Sequence, residues 1–343
     1  MTFSPNSPLA GRTVAVFSLG GTIAMTTDPV TGGVVPALSA KDLLTAVPAL
    51  RETGVVVRVQ DFRQLPGASL RIEDIVDLAS AIGAELDAGA DGAVVTQGTD
   101  TIEETAFLLH LLHDRPEPVV VTGAMRNPTL PGADGPANLH AAVLVAADQA
   151  TRELGCVVVL NDEIHSAVQV RKSHTTSTGA FTSPGAGPVG RVHEGRPTMV
   201  CRPLLPSLPR LARSSAGTAQ VGLYTVTLGD DGTHLESFAG GYDGLVVAAF
   251  GVGHVPRSMV GTLERLAAGM PVVLCSRVGD GPVLKETYGF PGSEKDLRTR
   301  GLIGAGSLSP YKARLLLIHL LTGFGPSGST DIRAAFAELE TPS

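Results

Sequence analysis

The sequence predicts an α/β protein of two domains, a larger N-terminal one built on a parallel sheet and a smaller C-terminal one. Three observations predict it. Short apolar runs alternate with longer amphipathic segments, the pattern of parallel strands joined by crossover helices. The length of 343 residues corresponds to about two domains at roughly 150 residues each. The stretch Arg202–Thr218 (RPLLPSLPRLARSSAGT) interrupts the alternation with three prolines, then Ser and Gly, and reads as a linker. The domains are therefore expected at 1–201 and 219–343, with the linker at 202–218.

The elements follow in order. Strands are expected at Thr13–Leu19, Val55–Gln60, Gly92–Thr96, Pro118–Thr122 and Cys156–Asn161, with a further short one at Ala167–Val170. Helices are expected at 71–88, 101–113 and 136–150. The first places Ile72, Ile75, Leu78, Ala79, Ile82 and Leu86 on one face. Thr101-Ile-Glu-Glu104 has the form of a capping box and marks the start of the second. Beyond the linker, strands at 221–227, 244–249 and 271–276 alternate with helices at 257–268, 309–322 and 330–340, a smaller, flavodoxin-like domain.

Composition excludes several function classes. Apolar residues make up 43% of the chain, enough for buried cores, and with no Trp, four Tyr and ten Phe those cores must be aliphatic. The formal charge is −7 with no basic run, which argues against a nucleic-acid partner. Cys156, Cys201 and Cys275 form neither a CxxC nor a Cys/His ligand pattern, so neither a disulfide scaffold nor a zinc site is expected. No apolar run approaches the roughly 18–20 residues needed to cross a bilayer, and no basic segment precedes the first apolar one. No membrane association is expected, and a cytoplasmic location follows.

In an open parallel sheet ligands bind beyond the carboxyl ends of the strands. The residues there are Gly20-Gly21-Thr22, Gln97-Gly98-Thr99-Asp100, Gly123-Ala124-Met125-Arg126 and Arg171-Lys172-Ser173-His174. None of the glycine patterns is GxGxxG or GxxxxGK[ST], and no GxSxG or HExxH occurs. What remains is two hydroxyls, Thr22 and Thr99, each held by glycines in a strand-to-helix turn. A threonine hydroxyl is a weak nucleophile and needs a neighbouring base. Lys172, one of five lysines, is the candidate base, with Asp100 the carboxylate to orient it. The bland alternative is that Thr22 and Asp100 only cap helices. His110 and His113, at i and i+3 amid FLLHLLH, read as a packed helix face rather than metal ligands.

These residues carry a resemblance. SLGGTIA at 18–24 and TQGTDTIEETA at 96–106 resemble the two signature motifs of the bacterial-type asparaginase/glutaminase family. VVVTGAMR at 119–126, ADGPANL at 133–139, VRKSHTT at 170–176, SRVGDG at 276–281, YGF at 288–290 and GSLSPYKAR at 306–314 support it, so that it spans nearly the whole chain. The resemblance implies hydrolysis of L-asparagine to L-aspartate and ammonia without a cofactor. Thr22 would form an acyl-enzyme, while Thr99, Lys172 and Asp100 polarise the hydroxyl or the attacking water. Asp100 would also bind the substrate ammonium group, and backbone N–H groups of the glycine turns would form an oxyanion hole. It further implies a homodimer or homotetramer. Glutamine, another small amide, or a catalytically silent amino-acid-binding role are the alternatives.

The chain departs from the family pattern in four places. The lid 25–36 (MTTDPVTGGVVP) carries no Tyr, the first in the chain being Tyr224. The carboxylate-binding Ser position falls on Gly67, with Ser69 two residues on. His254 stands where an Asn often follows GxG, and reads as a surface or satisfied loop histidine. The loop before Tyr288 is short, leaving Glu286 or Asp280 as candidates for the acid that reaches a neighbouring site.

Overall fold

β1 (Thr13–Ser18) lies one strand in from the edge of the first sheet, five of its six residues buried. β2 (Met25–Thr27) and β3 (Val34–Pro36) pair antiparallel as a separate ribbon. β4 (Val56–Asp61) and β5 (Gly92–Thr96) flank β1, and β6 (Val119–Thr122) and β7 (Cys156–Leu160) follow, all parallel. A computed structural model describes residues 8–21, 25–27, 34–36, 47–203, 219–324 and 329–340. They fall into two compact units, 1–203 and 204–343.

β5, β6 and β7 are buried along their whole length, as expected of parallel strands covered on both faces. Val14, Val16, Val94, Val120, Val157 and Val159 pack with the helix Gly135–Ala147, which is buried almost all round. The alternate residues Phe17, Val95 and Val121 point the other way. Helix Ile102–Leu112 packs against β6 and β7, and Ile72–Asp87 packs against it and β5.

Past β7 the sheet turns antiparallel. Asn161 and Asp162 both have positive φ (53° and 59°) and make a two-residue hairpin into β8 (Glu163–Ser166). That turn ends β7 one residue before the predicted Asn161. The predicted strand at Ala167–Val170 is instead a turn, in which the Ser166 carbonyl accepts the Gln169 and Val170 N–H groups. Lys172 lies on β9 (Arg171–Lys172), which pairs with β10 (Phe181–Thr182) as a small hairpin of its own. β11 (Gly190–His193) and β12 (Arg196–Met199) complete the larger sheet, in the order β12-β11-β8-β7-β6-β5-β1-β4 among the described residues.

Two helix ends also differ from expectation. Thr101 makes no capping bond; its hydroxyl donates to the Gly67 carbonyl 3.1 Å away, and the chain enters the helix through a 3₁₀ turn at Thr99–Thr101. The helix expected to reach 150 stops at Ala147, where the Asp148 carboxylate accepts the Ala150 N–H and starts a separate 3₁₀ turn.

In the second unit β13 (Val221–Thr225), β14 (Gly244–Ala249), β15 (Val272–Ser276) and β16 (Ile303–Gly304) run parallel in sequential order, not in the flavodoxin-like order expected, which places the second strand outside the first. Helix Pro310–Phe324 packs against the first three, and Leu245, Val247, Leu263, Val272 and Leu274 centre an aliphatic core. Cys156 and Cys275 are fully buried strand residues, as their runs predicted, and burial pushes both thiols far up. Most of the predicted linker, residues 204–218, lies outside the described residues. Arg202, at its start, donates to the Arg152 and Ala150 carbonyls at 3.1 and 3.0 Å. Among the described residues no helix is long and apolar enough to cross a membrane.

Candidate active site

β1 connects to β4 on one side, and the chain then crosses to β5 on the other. The loops leaving β1 and β5 therefore diverge, opening a crevice at the topological switch point. Glycines let those loops touch backbone to backbone. Gly21, at φ 87°, would place a Cβ 2.0 Å from the Gly98 nitrogen. A Cβ on Gly67 would meet the Gly98 carbonyl oxygen at 3.0 Å, and one on Gly123 would lie 2.6 Å from the Gln97 carbonyl oxygen. A side chain at any of these positions would push the strand-end loops apart.

On that floor the structure joins three of the predicted residues. Lys172 Nζ lies 2.9 Å from Thr99 Oγ1 and 2.8 Å from Asp100 Oδ1, although more than 70 residues separate them in sequence. The environments differ along the set. Thr99 is buried, the Lys172 side chain is 17% exposed and the Asp100 side chain is 67% exposed. The group thus runs from a sheltered hydroxyl through an amine to a carboxylate at the surface, open to a cationic group. Chemically, an amine between a hydroxyl and a carboxylate can pass a proton to or from the hydroxyl while staying oriented.

Asn138 braces the floor from below. Its amide nitrogen donates to the Gly123 carbonyl (3.0 Å) and to Asp134 Oδ2 (3.1 Å), and its oxygen accepts the Asn161 N–H (2.9 Å). Asp134 also accepts the Met125 and Arg126 N–H groups, so this carboxylate shapes the loop after β6. The ADGPANL motif contains Asn138 but assigns it no role, because three bonds from one buried side chain are a tertiary property.

The remaining candidates differ in what the structure describes of them. Thr22 lies outside the described residues. Gly67 is buried in a 3₁₀ turn with its α-carbon against Gly98, whereas Ser69, at the end of that turn, is exposed. Glu286 and Asp280 are exposed loop residues of the second unit, and Asp280 accepts the Gly281 N–H. His254 is a paired loop histidine: Nε2 is 3.2 Å from Glu294 Oε2, and Tyr288 and Phe290 pack edge-on against its ring. Glu294, fully buried, carries no motif that marks it in the sequence. Burial raises its pKa, but N–H donors from Tyr288 and its own backbone, together with His254, bring it below the ordinary carboxylate value. His110 takes the Cys156 N–H and His113 faces the Glu117 carbonyl, both structural contacts. No group of three or more His, Cys, Asp or Glu suited to a metal ion occurs among the described residues.

A Thr–Lys–Asp set at the switch point of a glycine-lined sheet, in a chain of two α/β units, defines the class of protein. Comparison with known proteins adds the family. Residues 13–204 match the family described as Asparaginase, N-terminal, and residues 220–336 match the Glutaminase/Asparaginase C-terminal domain. The chain is 34% identical over 331 residues to L-asparaginase 2 of Escherichia coli, covering 94% of this chain and 92% of that one. It is 31% identical over 334 residues to a glutamyl-tRNA(Gln) amidotransferase chain of Haloquadratum walsbyi, covering 95% of this chain and 74% of that one. A crystal structure described as a probable cytoplasmic L-asparaginase from Campylobacter jejuni superposes with a TM-score of 0.83 at 29% identity, covering 95% and 99% of the two chains. The chain belongs to the asparaginase family, and membership supports an amidohydrolase.

Proposed function

We propose that this protein hydrolyses L-asparagine to L-aspartate and ammonia through a threonyl ester. Thr22 Oγ attacks the side-chain amide carbon, the C–N bond breaks, and the nitrogen leaves as ammonia after taking up a proton. Water then adds to the ester, its proton returns to Thr22, and aspartate departs. Thr99, Lys172 and Asp100 form the proton-handling set: Lys172, after giving up its own proton to solvent, takes one from the Thr99 side while Asp100 holds it in place. Asp100, being exposed, also receives the substrate ammonium group. Of the Gly67–Ser69 turn, Ser69 has the hydroxyl available to the substrate carboxylate, and Gly67 contributes backbone. N–H groups of the glycine turns stabilise the developing oxyanion.

The observation that carries this reading is the double hydrogen bond of Lys172 to Thr99 and Asp100. Helix capping explains neither the lysine nor its placement. Glutamine is the second candidate substrate, since one methylene changes fit by only about 1–3 kcal/mol. The amidotransferase relative favours no RNA-linked role here, because a chain of net charge −7 lacks the electrostatic footprint for RNA. We place the activity in the cytoplasm and in a homodimer or homotetramer, which size measurement in solution checks. The test of the reading is ammonia release from L-asparagine and L-glutamine by the purified protein and by Thr22→Ala. Turnover of asparagine that disappears in the variant supports it; equal release by both proteins removes the threonyl ester, and no release by either removes the hydrolase.

A further inference from the structure

The hairpin that carries Lys172 stands apart from the larger sheet: among the described residues β9 pairs with β10 and neither is a strand of that sheet. Something must locate it, because the site needs the Lys172 amine within hydrogen-bond reach of residues on another loop. Ser183 follows β10 directly, two residues past Phe181, which sits opposite Lys172. Its hydroxyl lies 3.0 Å from Nδ1 of His165. His165 is in the middle of β8, opposite Val158 of β7, with its side chain 1% exposed. Its Nε2 is 3.4 Å from Glu163 Oε2, and Glu163 Oε1 is paired with Arg191 of β11 at 2.6 Å.

Burial pushes the His165 pKa down, against the pull of Glu163, which keeps the ring neutral. The Glu163 carboxylate 3.4 Å from Nε2, a charge contact and not a hydrogen bond, favours the ring proton on that nitrogen and leaves Nδ1 to accept from the Ser183 hydroxyl. Serine, histidine and glutamate in this order also resemble a nucleophile with its base. Ser183 is buried away from any substrate in solution, however, so the arrangement is mechanical. Resting on the hydrolase reading of Lys172, we propose that His165 is a positioning residue: the buried Ser183–His165 hydrogen bond clamps the β9–β10 hairpin to β8 and thereby holds the Lys172 amine at Thr99 and Asp100.

The experiment uses His165→Leu and Ser183→Ala, which break the bond, and His165→Asn, whose amide occupies the position of Nδ1. Two readouts are taken on variants whose thermal melts confirm folding. One is the rate at which acetic anhydride acetylates Lys172, followed by mass spectrometry. The other is kcat/KM for asparagine in the wild-type and Lys172→Met backgrounds. Breaking the bond should raise Lys172 acetylation and lower kcat/KM by about 10- to 100-fold, the scale of a misplacement near 1 Å. His165→Asn should restore both. In the Lys172→Met background, His165→Leu should cost less than about twofold more, because the two act as one unit. Unchanged acetylation in both bond-breaking variants, or an equal loss with and without Lys172, overturns the clamp. Should the wild type release no ammonia while acetylation still responds, the hydrolase reading fails and the clamp stands.

Discussion

Replacing Lys172 by Met separates chemistry from folding. On stability, the substitution removes an ion pair with the 67% exposed Asp100 and a hydrogen bond to Thr99. An ion pair so open to solvent is worth about 0–1 kcal/mol, and the hydrogen bond about 0.5–1.5 kcal/mol. Met fills much the same volume and has no ammonium to desolvate, which offsets part of this. The net loss should stay under about 2 kcal/mol, a fall in Tm of at most about 4–8 °C at roughly 2–4 °C per kcal/mol. On activity, losing a proton-transfer group costs about 10²- to 10⁴-fold in rate, or about 3–5 kcal/mol of barrier. The assay is ammonia release at saturating and limiting asparagine, paired with a melt followed by circular dichroism. Lys172→Arg sharpens it, since a guanidinium keeps a positive charge but cannot accept a proton at any working pH. It should be as impaired as Met. The reasoning is refuted if either variant, folded, keeps kcat/KM within about threefold of wild type, a barrier change below about 1 kcal/mol. Activity in Arg alone would reduce Lys172 to a placed charge.

Two further predictions concern the frame. Asn138→Leu strands the Gly123 carbonyl and the Asn161 N–H without their side-chain partner. It should destabilise the first unit by about 2–4 kcal/mol in urea unfolding; a loss below about 0.5 kcal/mol would mean the loops repack around it. Glu294 accepts the Thr287 and Tyr288 N–H groups and pairs with His254, and its folded pKa lies below the ordinary value. A depressed carboxylate pKa stabilises above the unfolded pKa, and that contribution fades as pH falls through the carboxylate range toward the folded pKa. Glu294→Gln should therefore cost about 1–3 kcal/mol at neutral pH through its hydrogen bonds and flatten the acid slope of stability. An unchanged slope in urea melts across acid pH would show that another group carries it.

What could be read along the chain was whatever repeats locally. Valine-rich runs bounded by glycine located β1, β5, β6, β7, β14 and β15 to within a residue or two, because burial on both faces demands apolar residues in sequence. The glycines at 20, 21 and 98 pointed to strand-end turns, because positive φ or close backbone approach excludes a Cβ. Thr99, Asp100 and Lys172 were identifiable as residue types suited to one chemistry. Their meeting was not: hydrogen bonds spanning 72 and 73 residues leave no local pattern.

Strand polarity at the sheet's far side was also hidden. The Asn161–Asp162 turn looks like an ordinary strand end until its two positive φ angles fold β8 back on β7. Thr101 read as a cap, yet its hydroxyl serves Gly67 on a different loop. Glu294 and His165 have no motif to mark them, and the motif that contains Asn138 gives it no role. A polar side chain is worth burying only where distant backbone or side-chain groups satisfy it. Sequence alone thus determined the α/β class, the two-domain order and the residue types at the strand ends. Tertiary structure decided which of those residues touch and which buried polar groups hold them there, because both depend on partners that only packing brings together.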